Sequence, residues 1–86
     1  PLPEEKDRRL LFDKKTSDIE EVYREQINYD RLAEISEGLS GRDITYICDD
    51  FKRELAKYKA GLNGDFEMQN TFEDLIYDRI SSASEN

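Results

Sequence analysis

Ser40-Gly41-Arg42-Asp43-Ile44-Thr45-Tyr46-Ile47-Cys48-Asp49-Asp50-Phe51-Lys52-Arg53-Glu54-Leu55-Ala56-Lys57-Tyr58 is the stretch that decides the fold. Ser40 and Asp43 stand three apart, the spacing at which a hydroxyl and a carboxylate each satisfy a backbone N–H at a helix start. Ile44, Ile47, Cys48, Phe51, Leu55 and Tyr58 then recur every three or four residues and form one apolar stripe, which predicts the longest helix, ending at Gly61. A stripe that wide needs partners. It is expected to be buried against the first, third and last helices.

Upstream, Asn28 is a predicted cap for a helix carrying Tyr29, Leu32, Ile35 and Leu39, with Gly38 as its stop. Ser17 and Glu20 repeat the capping spacing ahead of Ile19, Val22, Tyr23 and Ile27, which predicts a short helix there. Pro3 suits a first helical turn because its missing N–H would be unpaired there. The first helix is therefore expected from Pro3 to about Lys15, docking through Leu10, Leu11 and Phe12. Downstream, Asn63-Gly64 marks a turn, and Thr71 with Asp74 predicts the start of a last helix bearing Phe72, Leu75, Ile76 and Ile80. No run alternates long enough to define a sheet. The expected fold is all-α, a small bundle of four to five helices over residues 1–80, with 81–86 as a flexible tail.

Composition narrows the function. Eighty-six residues make one small domain that buries only about 60–65% of its unfolded surface, too little to enclose a large active-site cavity. A net charge of −8 opposes direct nucleic-acid binding, which depends on basic groups that release counterions. One cysteine and no histidine exclude an intramolecular disulfide, a usual zinc set and a histidine-based triad. No apolar run is long enough for a membrane span, and the opening residues lack the regions of a signal peptide, so the expected compartment is cytoplasmic.

The carboxylate pairs Glu20-Glu21 and Asp49-Asp50 do not converge, since adjacent helical residues point about 100° apart. Arg8 and Arg9, set among Glu4, Glu5 and Asp7, read as exposed ion pairs. Cys48 lies within the apolar stripe and is expected buried and inert.

Two stretches carry a family resemblance. Pro1-Leu2-Pro3-Glu4-Glu5-Lys6-Asp7-Arg8-Arg9-Leu10-Leu11-Phe12 resembles the leucine-proline opening and first helix of the C-terminal lid, or sensor-2 domain, of AAA-type AAA+ ATPases. Ile27-Asn28-Tyr29-Asp30-Arg31-Leu32-Ala33-Glu34-Ile35-Ser36-Glu37-Gly38-Leu39-Ser40-Gly41-Arg42-Asp43-Ile44 is similar to the lid helix that runs into the sensor-2 segment. Phe66 to Ile76 resembles, more loosely, the strand-like turn and closing helix. The chain departs from the family pattern at Arg42, where alanine is commonest, at Lys15, where histidine is frequent, and in the length of the connection from Thr16 to Ile27.

The resemblance implies a four-helix lid that follows a P-loop domain, covers one side of ATP and belongs to a ring, usually a hexamer, that remodels a protein substrate. ATP and its Mg²⁺ would be held chiefly by the P-loop domain of the same chain, with neighbouring subunits as ring partners. The resemblance puts Gly41 on the adenine side, Leu11 against the adenine ring, Lys15 near the ribose and Arg42 at the phosphates as a sensor-2 arginine. Plainer readings stand beside these: a cap and tight turn at Gly41, core packing for Leu11, a solvated helix end for Lys15, and for Arg42 a first-turn arginine paired with Asp43 or a neighbour. No Walker A loop, Walker B acid or arginine finger is found, so the chain alone is not expected to hydrolyse ATP. The alternative function is an acidic helical module that binds another protein without nucleotide.

Overall fold

The structure, a computed structural model, describes residues 1–84. Five helices follow one another: α1 (Glu5–Lys15), α2 (Glu21–Arg24), α3 (Tyr29–Ile35), α4 (Gly41–Lys59) and α5 (Met68–Ser84). There is no strand among the described residues, and no helix there is long and apolar enough to cross a membrane. The all-helical bundle read from the apolar spacing is thus the fold, and α5 continues past Ile80 to Ser84. Glu85 and Asn86, the end of the expected tail, lie outside the described residues.

Helix α4 has both of its ends fixed by local chemistry. At its start Ser40 Oγ accepts the Asp43 N–H at 3.1 Å, and Asp43 Oδ2 accepts the Ser40 N–H at 3.0 Å, so the reciprocal cap is complete. At its end Gly61 takes φ +77°, a left-handed conformation that glycine adopts without the clash of a Cβ. This turn lets Leu62 N–H reach the Lys57 carbonyl at 2.9 Å and Gly61 N–H reach the Tyr58 carbonyl at 3.0 Å. Asn28 caps α3 by accepting Arg31 N–H at 3.0 Å, and Gly38 ends that segment at φ +90°.

The core is built on three phenylalanines from three helices. Phe51 of α4 stacks on Phe72 of α5 with centroids 4.1 Å apart, and Phe12 of α1 meets Phe72 edge-on at 5.7 Å. Ile44, Ile47, Cys48, Phe51 and Leu55, the predicted stripe, are all buried. Each such side chain contributes roughly 1.5–3 kcal/mol by leaving water. The stripe packs on α1 and α5, while α3 lies principally against α1 and α5, so the shorter helices do not all wrap around α4 as expected.

Four local expectations are corrected. Pro3 precedes the first helix, in which Glu4 is the cap residue, and Leu10 is 64% exposed instead of docking. The second helix shrinks to one turn, because Ser17 Oγ donates back to the Lys14 carbonyl at 2.9 Å and caps nothing. Ile19 and Ile27 are buried from outside that turn and Val22 is exposed, so the apparent helical period spans a strap and not a helix. Lys59 to Glu20 at 2.7 Å and Lys52 to Asp18 at 3.3 Å hold this strap to α4. The last helix begins before Thr71, since the Glu67 carboxylate accepts from Asn70 N–H at 2.7 Å and Gln69 N–H at 3.3 Å.

The largest correction concerns Arg8. It is 4% exposed, not a surface ion pair, and its guanidinium makes four hydrogen bonds to neutral oxygens. Nη2 and Nε donate to the Ala33 carbonyl at 2.8 and 3.2 Å, Nε also to Ser36 Oγ at 3.1 Å, and Nη1 to the Pro3 carbonyl at 3.0 Å. A cation at the C-terminal end of α3 meets the negative end of the helix dipole and its unpaired carbonyls. Arg9 is the exposed partner of the two and pairs with Asp30 at 2.5 Å.

Candidate functional site

The residues that the sequence singles out lie where the start of α4 meets the second half of α1. Leu11 faces α4: its Cδ1 lies 3.8 Å from the place a Cβ on Gly41 would occupy. Two of the four candidates are therefore neighbours, across thirty residues of chain. Lys15 follows Leu11 by one turn on the same helix face, half-buried at the C-terminal end of α1 where a cation is favoured. Arg42 is exposed in the first turn of α4.

Gly41 has an ordinary backbone conformation, and an added Cβ would make only van der Waals contact with Leu11. Neither strain nor crowding in this chain calls for glycine. Gly41 is the first residue of α4, and the contacts within these residues do not require its missing Cβ.

Arg42 presents a parallel case. Asp43, its expected partner, is already occupied: it receives the Ser40 N–H, the Ser40 hydroxyl at 2.9 Å and Arg79 Nε at 2.8 Å. The Ser40 N–H first, and then the Arg79 guanidinium, hold the Asp43 carboxyl below its usual range against the opposing effect of burial. Arg42 makes no hydrogen bond or ion pair among the described residues. It is a permanent cation at the positive end of a helix dipole, where a cation is disfavoured.

Cys48, one helical face further along α4, is fully buried, and burial pushes its thiol up to about 12. Lys15 and Lys52 act on it in the opposite direction without overcoming the desolvation. It packs as an apolar side chain and has no thiolate to offer as nucleophile or ligand. No group of acidic or sulfur side chains among the described residues is placed to hold a metal ion.

The candidate surface is open and one-sided. A separate concavity of about 460 Å³ lies between the start of α1 and α3, and its lining of Glu4, Glu5, Lys6, Arg9, Asp30 and Ala33 includes none of the four candidates. Its mixed acidic rim is unsuited to phosphate. What α1 and α4 present there is an apolar side chain, a helix start without a Cβ and a guanidinium with no partner among the described residues. Sequence reasoning missed Arg79, whose bond occupies the Asp43 carboxylate; nothing local signals a pair separated by thirty-six residues. Comparison of the chain with protein-family models, curated proteins and solved structures found no match.

Proposed function

We propose that this chain is the helical lid of an AAA+ ATPase, the part that closes over one side of ATP and couples its binding and hydrolysis to movement within a ring. The reading rests on the lid-like sequence from Ile27 to Ile44. The observation that carries it is Gly41, set beside Leu11 at a capped helix start with nothing in its own chain requiring the missing Cβ. Such a start lets backbone N–H groups and an apolar neighbour come close to a bound nucleotide. Arg42, with no hydrogen bond or ion pair among the described residues, adds a planar donor fork suited to phosphate oxygens. In this reading Leu11 and Gly41 meet the base, Lys15 lies toward the ribose and Arg42 toward the γ-phosphate. ATP and Mg²⁺ are held mainly by the P-loop domain of the parent protein, which supplies the phosphoryl-transfer chemistry. The chain's own contribution is cover, orientation and one positive charge.

The test begins with the coding sequence ahead of Pro1. A glycine-lysine-threonine or glycine-lysine-serine loop about 150–250 residues upstream matches the length of a P-loop domain. Its absence leaves the acidic interaction module as the surviving reading. In the parent protein, Arg42→Ala should slow hydrolysis by roughly 10–1,000-fold if the guanidinium stabilises charge in the transition state. Wild-type turnover in intact rings retires the phosphate role of Arg42 while leaving the lid reading in place. The chain alone should show no saturable ATP site at micromolar nucleotide, and a tight magnesium-dependent site would overturn the lid reading altogether.

A further inference from the structure

The turn from α4 to α5 contains the one asparagine-glycine pair of the chain, Asn63-Gly64. Asn63 is half-buried and serves as a latch: its Nδ2 donates to the Glu54 carbonyl of α4 at 3.3 Å. Its Oδ1 is buried and accepts no hydrogen bond. The amide is thus held from one side only, by a long bond. Next to it, Gly64 is exposed, a Cβ there would meet nothing within 4 Å, and its N–H donates to no atom among the described residues.

These are the components of a spontaneous ring closure. We propose that Asn63 is a self-modification site, at which the Gly64 nitrogen attacks the side-chain amide of Asn63 and the resulting acid releases the turn between α4 and α5. Hydroxide removes the Gly64 N–H proton, and the nitrogen forms a bond to Cγ of Asn63. The Cγ–Nδ2 bond then breaks, and Nδ2 takes one proton from water and leaves as ammonia, returning the hydroxide. Water opens the five-membered succinimide at either carbonyl, giving aspartate or its backbone-shifted isomer. No oxidant or cofactor enters, and the attack speeds up as pH rises because it begins with proton removal.

Glycine matters because a side chain at position 64 would crowd the approach to Cγ. The product matters because a carboxylate at position 63 has no N–H to give Glu54. It brings a charge to a place where the neutral Oδ1 already lacks a donor. The latch becomes an oxygen facing an oxygen. Of the other asparagines, Asn28 and Asn70 precede Tyr29 and Thr71, whose side chains hinder the same attack.

The test is to age the chain at neutral and mildly alkaline pH and map deamidation and isoaspartate by peptide mass spectrometry. Asn63 should convert well ahead of Asn28 and Asn70, faster at the higher pH. Gly64→Ala, at a position with open space and no left-handed φ, should keep the melting temperature and slow conversion roughly tenfold, the effect of about 1.4 kcal/mol on a barrier. Equal rates at the three asparagines, or an unchanged rate in Gly64→Ala, would overturn the site. Asn63→Asp imitates one product and should melt on the order of 4–8 °C lower, with faster proteolysis in 60–67. An Asn63→Asp chain as stable and protease-resistant as wild type would overturn the release. Should that variant not fold, aged wild-type chain separated by charge takes its place in both measurements.

Discussion

The contact between α4 and α5 and the contact between α1 and α3 solve the same packing problem by opposite means. Between α4 and α5 the centre of the joint is apolar, with Phe51 stacked flat on Phe72 and Phe66 beside them, and the half-buried pair of Arg79 and Asp43 is its polar supplement. Between α1 and α3 it is polar, with one buried guanidinium bridging Pro3, Ala33 and Ser36. The apolar joint tolerates change in shape because burial has no direction. The polar joint does not, because each nitrogen of the Arg8 guanidinium has a named acceptor and a lost partner leaves a buried group unsatisfied.

The greatest expected loss is at the apolar joint. Phe72→Ala removes a ring in contact with both Phe12 and Phe51 and should cost about 3–5 kcal/mol, a large share of the roughly 5–15 kcal/mol that holds a small domain folded. Phe72→Leu, which keeps much of the volume, should cost markedly less. Urea titration followed by far-ultraviolet circular dichroism measures both, and equal losses would end the claim that this joint is forgiving.

Arg8→Ala comes next, at about 2–3 kcal/mol, from lost charge-assisted bonds and an orphaned Ala33 carbonyl. Arg8→Lys sharpens the contrast: it keeps the charge but cannot fork to Ala33, Ser36 and Pro3 at once. Recovery of most of the stability by lysine would mean that charge alone, and not geometry, holds α1 to α3.

A smaller effect should appear in acid. The carboxyl of Asp43 is held below its usual range by Ser40 and then Arg79, so its stabilisation is complete above the ordinary carboxylate value of about 4 and is lost as pH falls through the depressed folded value. The stability difference between wild type and Asp43→Asn should therefore be flat near neutrality and shrink in acid. A difference that does not change with pH would remove the titration argument. Least of all should come from Arg9→Ala, whose exposed pair with Asp30 should leave the melting temperature unchanged. A clear drop would make Arg9 part of the polar joint with its neighbour.

The same contrast explains what could be read in the chain beforehand. Helix α4 was legible at both ends because its cap, its stripe and its glycine stop all lie within a few residues of what they act on. Arg8 was not. Its acceptors Ala33 and Ser36 stand 25 and 28 residues away, whereas Glu4, Glu5 and Asp7 are near in sequence and suggest a surface pair. The strap before α3 misled for a related reason: Ile19 and Ile27 are buried, but on either side of a single helical turn, which spacing alone cannot separate from one continuous helix. At the candidate site, the juxtaposition of Leu11 and Gly41, thirty residues apart, is a product of how α1 packs on α4. That Asp43 is taken by Arg79 and not by Arg42 depends on a contact across thirty-six residues, which sequence spacing does not reveal.

The depth of Cys48 carries a practical consequence. Its sulfur is sealed among apolar side chains with the thiol at about 12, so oxidants and alkylating reagents find no thiolate while the bundle is closed. Within these 86 residues it has no second cysteine to pair with. A crosslinked dimer is thus a record of past opening and not a quaternary state. Short pulses of a thiol reagent convert that single atom into a counter of how often the core comes apart.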